Sequence, residues 1–211
     1  MTVSTQNSSF ANAKQQYNRR VVKQFKTAIM SIFNAPTKNE VSENNQEIFT
    51  QLEKSLGFVP NIYASLAHSE IALENFLAFG SSKSSFSAKE KEVINLAVSQ
   101  VNECVYCLSA HTAIGKINGF SDAQILELRA GNASFDAKLD ALAKFARNTA
   151  INRGVATAEV VHNFYAQGYT KGSLVDAILI IGEITVTNYF HKTTAVAVDF
   201  PIAPSLEVAT V

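Results

Sequence analysis

A chain of 211 residues with 47% hydrophobic content is long enough for one full domain with its own core. Its formal net charge of zero gives no general pull toward nucleic acid or a membrane surface. No apolar run of membrane-spanning length occurs and the N-terminus lacks the apolar core of a secretory signal, so a cytoplasmic protein is expected.

The charge is unevenly spread. Residues 1–39 hold no acid but six bases, Lys14, Arg19, Arg20, Lys23, Lys26 and Lys38, which leaves the remainder at −6. Within this stretch Val21, Val22, Phe25, Ala28, Ile29 and Phe33 form a helical stripe over 14–33, broken at Asn34-Ala-Pro-Thr. We read residues 1–40 as a basic N-terminal helical arm that serves as an oligomer contact, and 41–211 as the helical domain. The serines, bases and missing acids of the arm also resemble a mitochondrial transit peptide. Nucleic-acid binding by the arm is not expected, since it lacks interleaved stacking aromatics.

No proline lies between 61 and 200, which favours an all-α body. A helix is predicted over 43–56, stopped by Gly57. Phe58-Val-Pro-Asn-Ile-Tyr turns into a short helix ending near His68, and Ser69 to Phe79 reads as another. Ser87-Ala-Lys-Glu90 is a capping box opening a helix with Val93, Ile94, Ala97, Val98 and Val101 on one face. Asn102-Glu103 interrupts it. The next helix starts at about Cys104 and stops at Asn118-Gly119; Ser121-Asp-Ala-Gln124 caps one ending at Gly131. Helices follow over about 136–152 and 157–167. The apolar run Leu174 to Phe190 is rich in β-branched residues, yet Leu174, Ala177, Ile178, Ile181, Ile184, Thr185 and Asn188 make a helical stripe and no other strand could pair with it. It is read as a buried helix.

The chemistry concentrates in Glu92 to His111. Both cysteines, Cys104 and Cys107, lie here as C-x-x-C, and His111 follows four residues later. On a helix Cys107 falls about 60° and His111 about 20° from Cys104, so all three share a face. A sharp turn at 102–103 would fold the preceding helix back and bring Glu92 beside His111. Helical i, i+3 spacing is wide for a disulfide, but a cysteine at the cap position relaxes it. The helix N-terminus favours thiolate, which by itself points to Cys104 as the more acidic thiol. Such a dithiol could attack a peroxide, pass through sulfenic acid to a disulfide, and be restored by an external dithiol. A metal site of Cys, Cys, His and Glu, or simple packing of two small thiols, uses the same residues. His68, His162 and His191 are read as ordinary surface or capping histidines; Asn188 and His191 could border the pocket but stay outside the catalytic set.

The pattern Glu, eleven residues, Cys-x-x-Cys, three residues, His resembles the alkyl hydroperoxidase D-like branch of the carboxymuconolactone decarboxylase superfamily. Glu92, Cys104, Cys107 and His111 match it in type and spacing, and Asn102-Glu-Cys-Val-Tyr-Cys-Leu-Ser-Ala-His-Thr, Gly57-Phe-Val-Pro-Asn-Ile-Tyr and Ile184-Thr-Val-Thr-Asn-Tyr-Phe add to the likeness over roughly 45–200. The resemblance implies an all-α multi-helix bundle, assembled as a homo-oligomer (trimer or hexamer). It implies a thiol-dependent peroxidase needing no cofactor or metal, with a peroxide substrate and an external dithiol or protein reductant. It makes Cys107 the attacking thiol, Cys104 the resolving one, and Glu92 with His111 a proton relay. Tyr106 stands where some family peroxidases carry a second histidine, which bears on the efficiency of turnover. A general disulfide oxidoreductase or redox sensor, a lactone decarboxylase, and a non-catalytic scaffold are the competing readings.

Overall fold

The computed structural model describes residues 33–206. Among the described residues there are nine α-helices and no strand: α1 (Glu43–Leu56), α2 (Asn61–Leu66), α3 (Ala72–Gly80), α4 (Ala88–Val101), α5 (Val105–Ile117), α6 (Asp122–Ala130), α7 (Ala137–Ile151), α8 (Ala158–Ala166) and α9 (Lys171–Thr194). The expected helix over 14–33 lies outside the described residues. Irregular backbone from Phe33 leads into a single 3-10 turn, Lys38–Glu40.

Helix α4 is the hub, packed against α5, α6, α7 and α9. Val93, Ile94, Leu96, Ala97 and Val98 are fully buried. The predicted stripe accounts for four of these. Leu96 lies on the opposite side, so α4 is enclosed nearly all round, and an enclosed helix need not be amphipathic. Its start is set by the expected capping box: Glu90 N–H donates to Ser87 Oγ at 3.2 Å, and Ser87 N–H donates to Glu90 Oε2 at 3.0 Å. The box at Ser121 and Gln124 is also formed.

The reversal between α4 and α5 places the candidate chemistry. Asn102 ends α4 and Glu103 takes a left-handed backbone, φ 53°. Such a conformation costs a non-glycine residue roughly 1–2 kcal/mol. What holds it is a buried latch from α9: Asn102 Nδ2 donates to Asn188 Oδ1 at 2.9 Å, and Asn188 Nδ2 donates to Ser99 Oγ at 3.1 Å. Cys104 then opens α5, which runs back along α4.

The β-branched run is helical, as α9, but its buried face is rotated from the expected one. Ala177, Ile180, Ile181, Ile184, Thr187 and Asn188 are buried, whereas Ile178 is 42% exposed and Thr185 is half-buried. The stripe containing Ile180 and Thr187 faces α4 and α5; the one containing Ile178 faces outward with Val175, Leu179, Val186 and Tyr189. By length and composition alone α9 could cross a membrane. Here its inner side is part of the core.

After α9 the chain turns at Ala195, which is left-handed (φ 52°), and returns as an irregular strap over 195–206. Asp199 Oδ2 accepts from the Asn61 N–H at the start of α2, at 2.7 Å. Ala203 N–H donates to Ser109 Oγ of α5 at 3.0 Å, and the buried Arg129 donates from Nη1 to Pro204 O at 2.8 Å. Phe200 meets Tyr106 and Phe58 edge-on, with ring centroids 5.7 and 5.6 Å apart.

Candidate active site

Cys104 occupies the N-cap of α5. Its sulfur does what a serine or aspartate oxygen does elsewhere, accepting the Cys107 N–H at 3.3 Å. Cys107 sits in the first helical turn and donates from Sγ to Thr187 Oγ1 of α9 at 3.9 Å. Both thiols are free and buried, 0% and 3% exposed.

One turn on, His111 Nδ1 lies 2.8 Å from Glu92 Oε2. The expected fold-back does bring α4's carboxylate to α5's imidazole. Glu92 is 5% exposed, and its other oxygen accepts from Asn95 Nδ2 at 3.2 Å, so the carboxylate is held on both sides. With Nδ1–H given to Glu92, the second ring nitrogen is left for the pocket.

A cavity of about 330 Å³ opens onto these groups. Cys107 and His111 line it, together with Phe58, Ile62, Tyr63, Phe76, Tyr106 and Phe200 among others; Cys104 is not part of its wall. The size lies within the range of small-molecule pockets, and the lining is mostly apolar. Tyr106 serves this wall structurally: its hydroxyl accepts the Ile62 N–H at 3.2 Å and bonds Asp199, tying the C-x-x-C segment to α2 and to the strap.

Electrostatics separates the two thiols. The hydrogen-bonding Cys104 thiol lowers the pKa of Cys107; burial opposes this, His111 adds to it, and the result is about 7 against an ordinary 9.0. Cys104 is pushed far up, first by its bond to Cys107 and then by burial. Two adjacent buried sulfurs do not readily ionise together, and the influences here favour the one beside the imidazole, not the one at the helix N-terminus. The cap position supplies one N–H, while the facing thiol and the histidine act on Cys107. Burial works against the imidazolium of His111, but Glu92 and then Cys107 outweigh it and raise its pKa.

The four residues singled out by spacing, Glu92, Cys104, Cys107 and His111, are thus contiguous. Among the described residues no group of three or more His, Cys, Asp or Glu has the arrangement of a metal site. Sequence reasoning missed Glu183, a half-buried carboxyl in the pocket wall. The signal was available: Glu183 is the one charged residue between Ala177 and Phe190. Asn188 also proves central, through the turn it latches.

Residues 70–148 match the model of the carboxymuconolactone decarboxylase family. Among curated proteins, no sequence matches the chain. Several solved structures share the fold. An uncharacterized peroxidase-related protein from Silicibacter sp. is 24% identical, with a TM-score of 0.67 over 79% of this chain and 87% of that one. An alkylhydroperoxidase AhpD core, a peroxidase-related protein from Ralstonia eutropha, is 21% identical, with a TM-score of 0.68 over 75% and 87%. The debrominase Bmp8 in complex with 2,3,4-tribromopyrrole is 15% identical, with a TM-score of 0.63 over 74% and 86%.

Proposed function

With residues 70–148 a carboxymuconolactone decarboxylase family segment, carried on the all-helical fold of the alkylhydroperoxidase-like structures, we propose that this protein is a thiol-dependent peroxidase. The observation that carries the reading is the order of the sulfurs. Cys107 faces the cavity with a lowered pKa, His111 beside it and Cys104 directly behind.

The Cys107 thiolate attacks the terminal oxygen of a hydroperoxide. An S–O bond forms, the O–O bond breaks, and two electrons pass from sulfur to oxygen, leaving Cys107 as sulfenic acid. The Cys104 thiol then displaces hydroxide from that sulfur; its proton leaves with the hydroxide as water, and the Cys104–Cys107 disulfide closes. An external dithiol reduces it. His111, oriented by Glu92, takes the Cys107 proton when the thiolate is regenerated. Hydrogen peroxide or a small organic hydroperoxide is the substrate class.

Burial of both sulfurs favours small oxidants over protein disulfides as substrates, and by the same token a small external dithiol as the reductant. A lactone decarboxylase fits less well. Among the described residues no lysine or arginine lines the cavity to hold a carboxylated substrate. Dehalogenation of an aromatic ring is the second reading, favoured by the apolar, ring-sized cavity and by the likeness to a debrominase. The exposed stripe Val175, Ile178, Leu179, Val186 and Tyr189 on α9 supports self-association as a homo-oligomer.

The test is peroxide consumption with a dithiol donor, for wild type and Cys107→Ser. The reading requires turnover that Cys107→Ser abolishes; equal turnover in both would overturn it. Release of bromide from a bromopyrrole, without peroxide turnover, would favour the second reading.

A further inference from the structure

The mechanism above leaves one group in the cavity unused. Glu183 projects from α9 into the wall shared with Cys107, His111 and Thr187. Among the described residues its carboxyl makes no hydrogen bond or ion pair, unlike Glu92, whose two oxygens are both engaged. Its place is made by Gly80 at the end of α3: a Cβ there would collide with the carboxyl. A carboxyl set among Phe76, Ile184 and the Gly80 backbone has no hydrogen bond among the described residues to stabilise its charge; only His111 and Lys91 favour the ionised form, at longer range.

We propose that Glu183 is the acid that protonates the leaving oxygen of an alkyl hydroperoxide in this cavity. The inference rests on the peroxidase reading and names a further catalytic residue for it. Thiolate attack on R–O–O–H leaves an alkoxide, a far stronger base than water tolerates at neutral pH. His111, held by Glu92, serves the sulfur. Glu183 lies in the same cavity wall, one turn before Thr187 on α9 and within electrostatic reach of His111 and Glu92.

The proton count closes. Cys107–S⁻, Cys104–SH and Glu183–COOH react with ROOH to give Cys107–SOH and ROH, and Glu183 becomes a carboxylate. Condensation gives the disulfide and one water. An external dithiol then supplies two electrons and two protons; one proton restores Cys104–SH, the other Glu183–COOH, and Cys107 returns as thiolate. Burial holds the Glu183 pKa above its ordinary value, with His111 and Lys91 pulling it back and Glu92 pushing it further. The titratable groups around it are therefore His111 and Cys107 of α5, Glu92 and Lys91 of α4, Tyr63 of α2 and Asp176 of α9 itself; α3 presents Phe76, Phe79 and Gly80, none of them titratable. A raised pKa favours the protonated form that a proton donor needs.

The leaving group provides the test. Oxidation of the reduced protein is followed in single turnover with tert-butyl hydroperoxide, whose alkoxide needs a proton, and with peracetic acid, whose acetate does not. Glu183→Gln preserves shape and is expected to slow the first reaction roughly 10²-fold while slowing the second much less. The wild-type rate with the alkyl hydroperoxide should fall as pH rises through the Glu183 ionisation, and Glu183→Gln should lose that fall. Gly80→Ala, which displaces the carboxyl without removing it, should show the same selective loss in smaller degree; it decides the matter if Glu183→Gln does not fold. Equal slowing of both substrates, or of neither, overturns the role of Glu183 and leaves the peroxidase reading intact. Inertness of the wild-type dithiol toward both oxidants overturns both.

Discussion

Removing the Cys104 thiol should change Cys107 in a way that reverses with pH. At pH 7 a thiol of pKa about 7 is about half ionised. Cys104→Ala deletes the largest influence lowering that value and leaves burial, which raises it. Cys107 should then return to the ordinary range of roughly 8.5–9, where only about 1–3% is thiolate at pH 7. Ionisation alone predicts a loss of roughly 16- to 50-fold. A more basic thiolate is also a better nucleophile, by about 5- to 8-fold for this change at a Brønsted slope near 0.45. The net expectation is a reaction with a small aromatic disulfide about 3- to 6-fold slower than wild type at pH 7, and about 5- to 8-fold faster well above both pKa values. Cys104→Ser keeps a hydroxyl donor and should stay nearer to wild type. The assay is the pseudo-first-order rate across pH, with thiolate absorbance as an independent titration. A Cys104→Ala midpoint still at about 7, or a Cys104→Ser profile like that of Cys104→Ala, would refute the hydrogen-bond account.

Glu92→Gln removes the carboxylate that most favours the His111 cation, so His111 should titrate at lower pH by NMR and the peroxide reaction at neutral pH should slow by roughly 10- to 100-fold. An unmoved His111 titration would contradict the pairing. Asn188→Ala breaks the latch to Ser99 and Asn102 and leaves buried polar atoms unmatched; urea unfolding should show a loss of about 2–4 kcal/mol. Glu103→Gly relieves the left-handed position and forfeits only the exposed ion pair to Lys192, so unfolding should show little loss or a gain of up to about 1 kcal/mol. Clear destabilisation there would mean the turn carries no strain.

The sequence exposes those parts of this structure that depend on local periodicity. Serines at 87 and 121 with a glutamate or glutamine three residues on start two helices because the capping box is a short-range device. Cys104, Cys107 and His111 share a face because helix geometry is fixed, and Glu92 joins them because two residues suffice to reverse the chain. What periodicity cannot give is depth. Ile178 and Ile181 read alike, but only the packing of α4 and α5 decides that one is 42% and the other 8% exposed. Helix position alone pointed to Cys104 and the family resemblance to Cys107; which sulfur faces the cavity and which is sealed behind it is again a matter of packing. The strap over 195–206, with few apolar periodic positions, gave no structural signal, though it closes the cavity through Phe200 and Tyr106.

Cys104 holds two posts at once. Its sulfur caps α5, and the same sulfur must swing to Cys107 if the disulfide is to form. In the proposed cycle the start of the helix and the redox couple would therefore draw on one free energy. Whatever the cap contributes to the reduced fold would be subtracted from the stability of an oxidised one. An N-cap contribution of about 1 kcal/mol corresponds to roughly 20 mV in a two-electron couple. The reduction potential of this dithiol would carry a mechanical component, shifted toward oxidising values by the helix it begins.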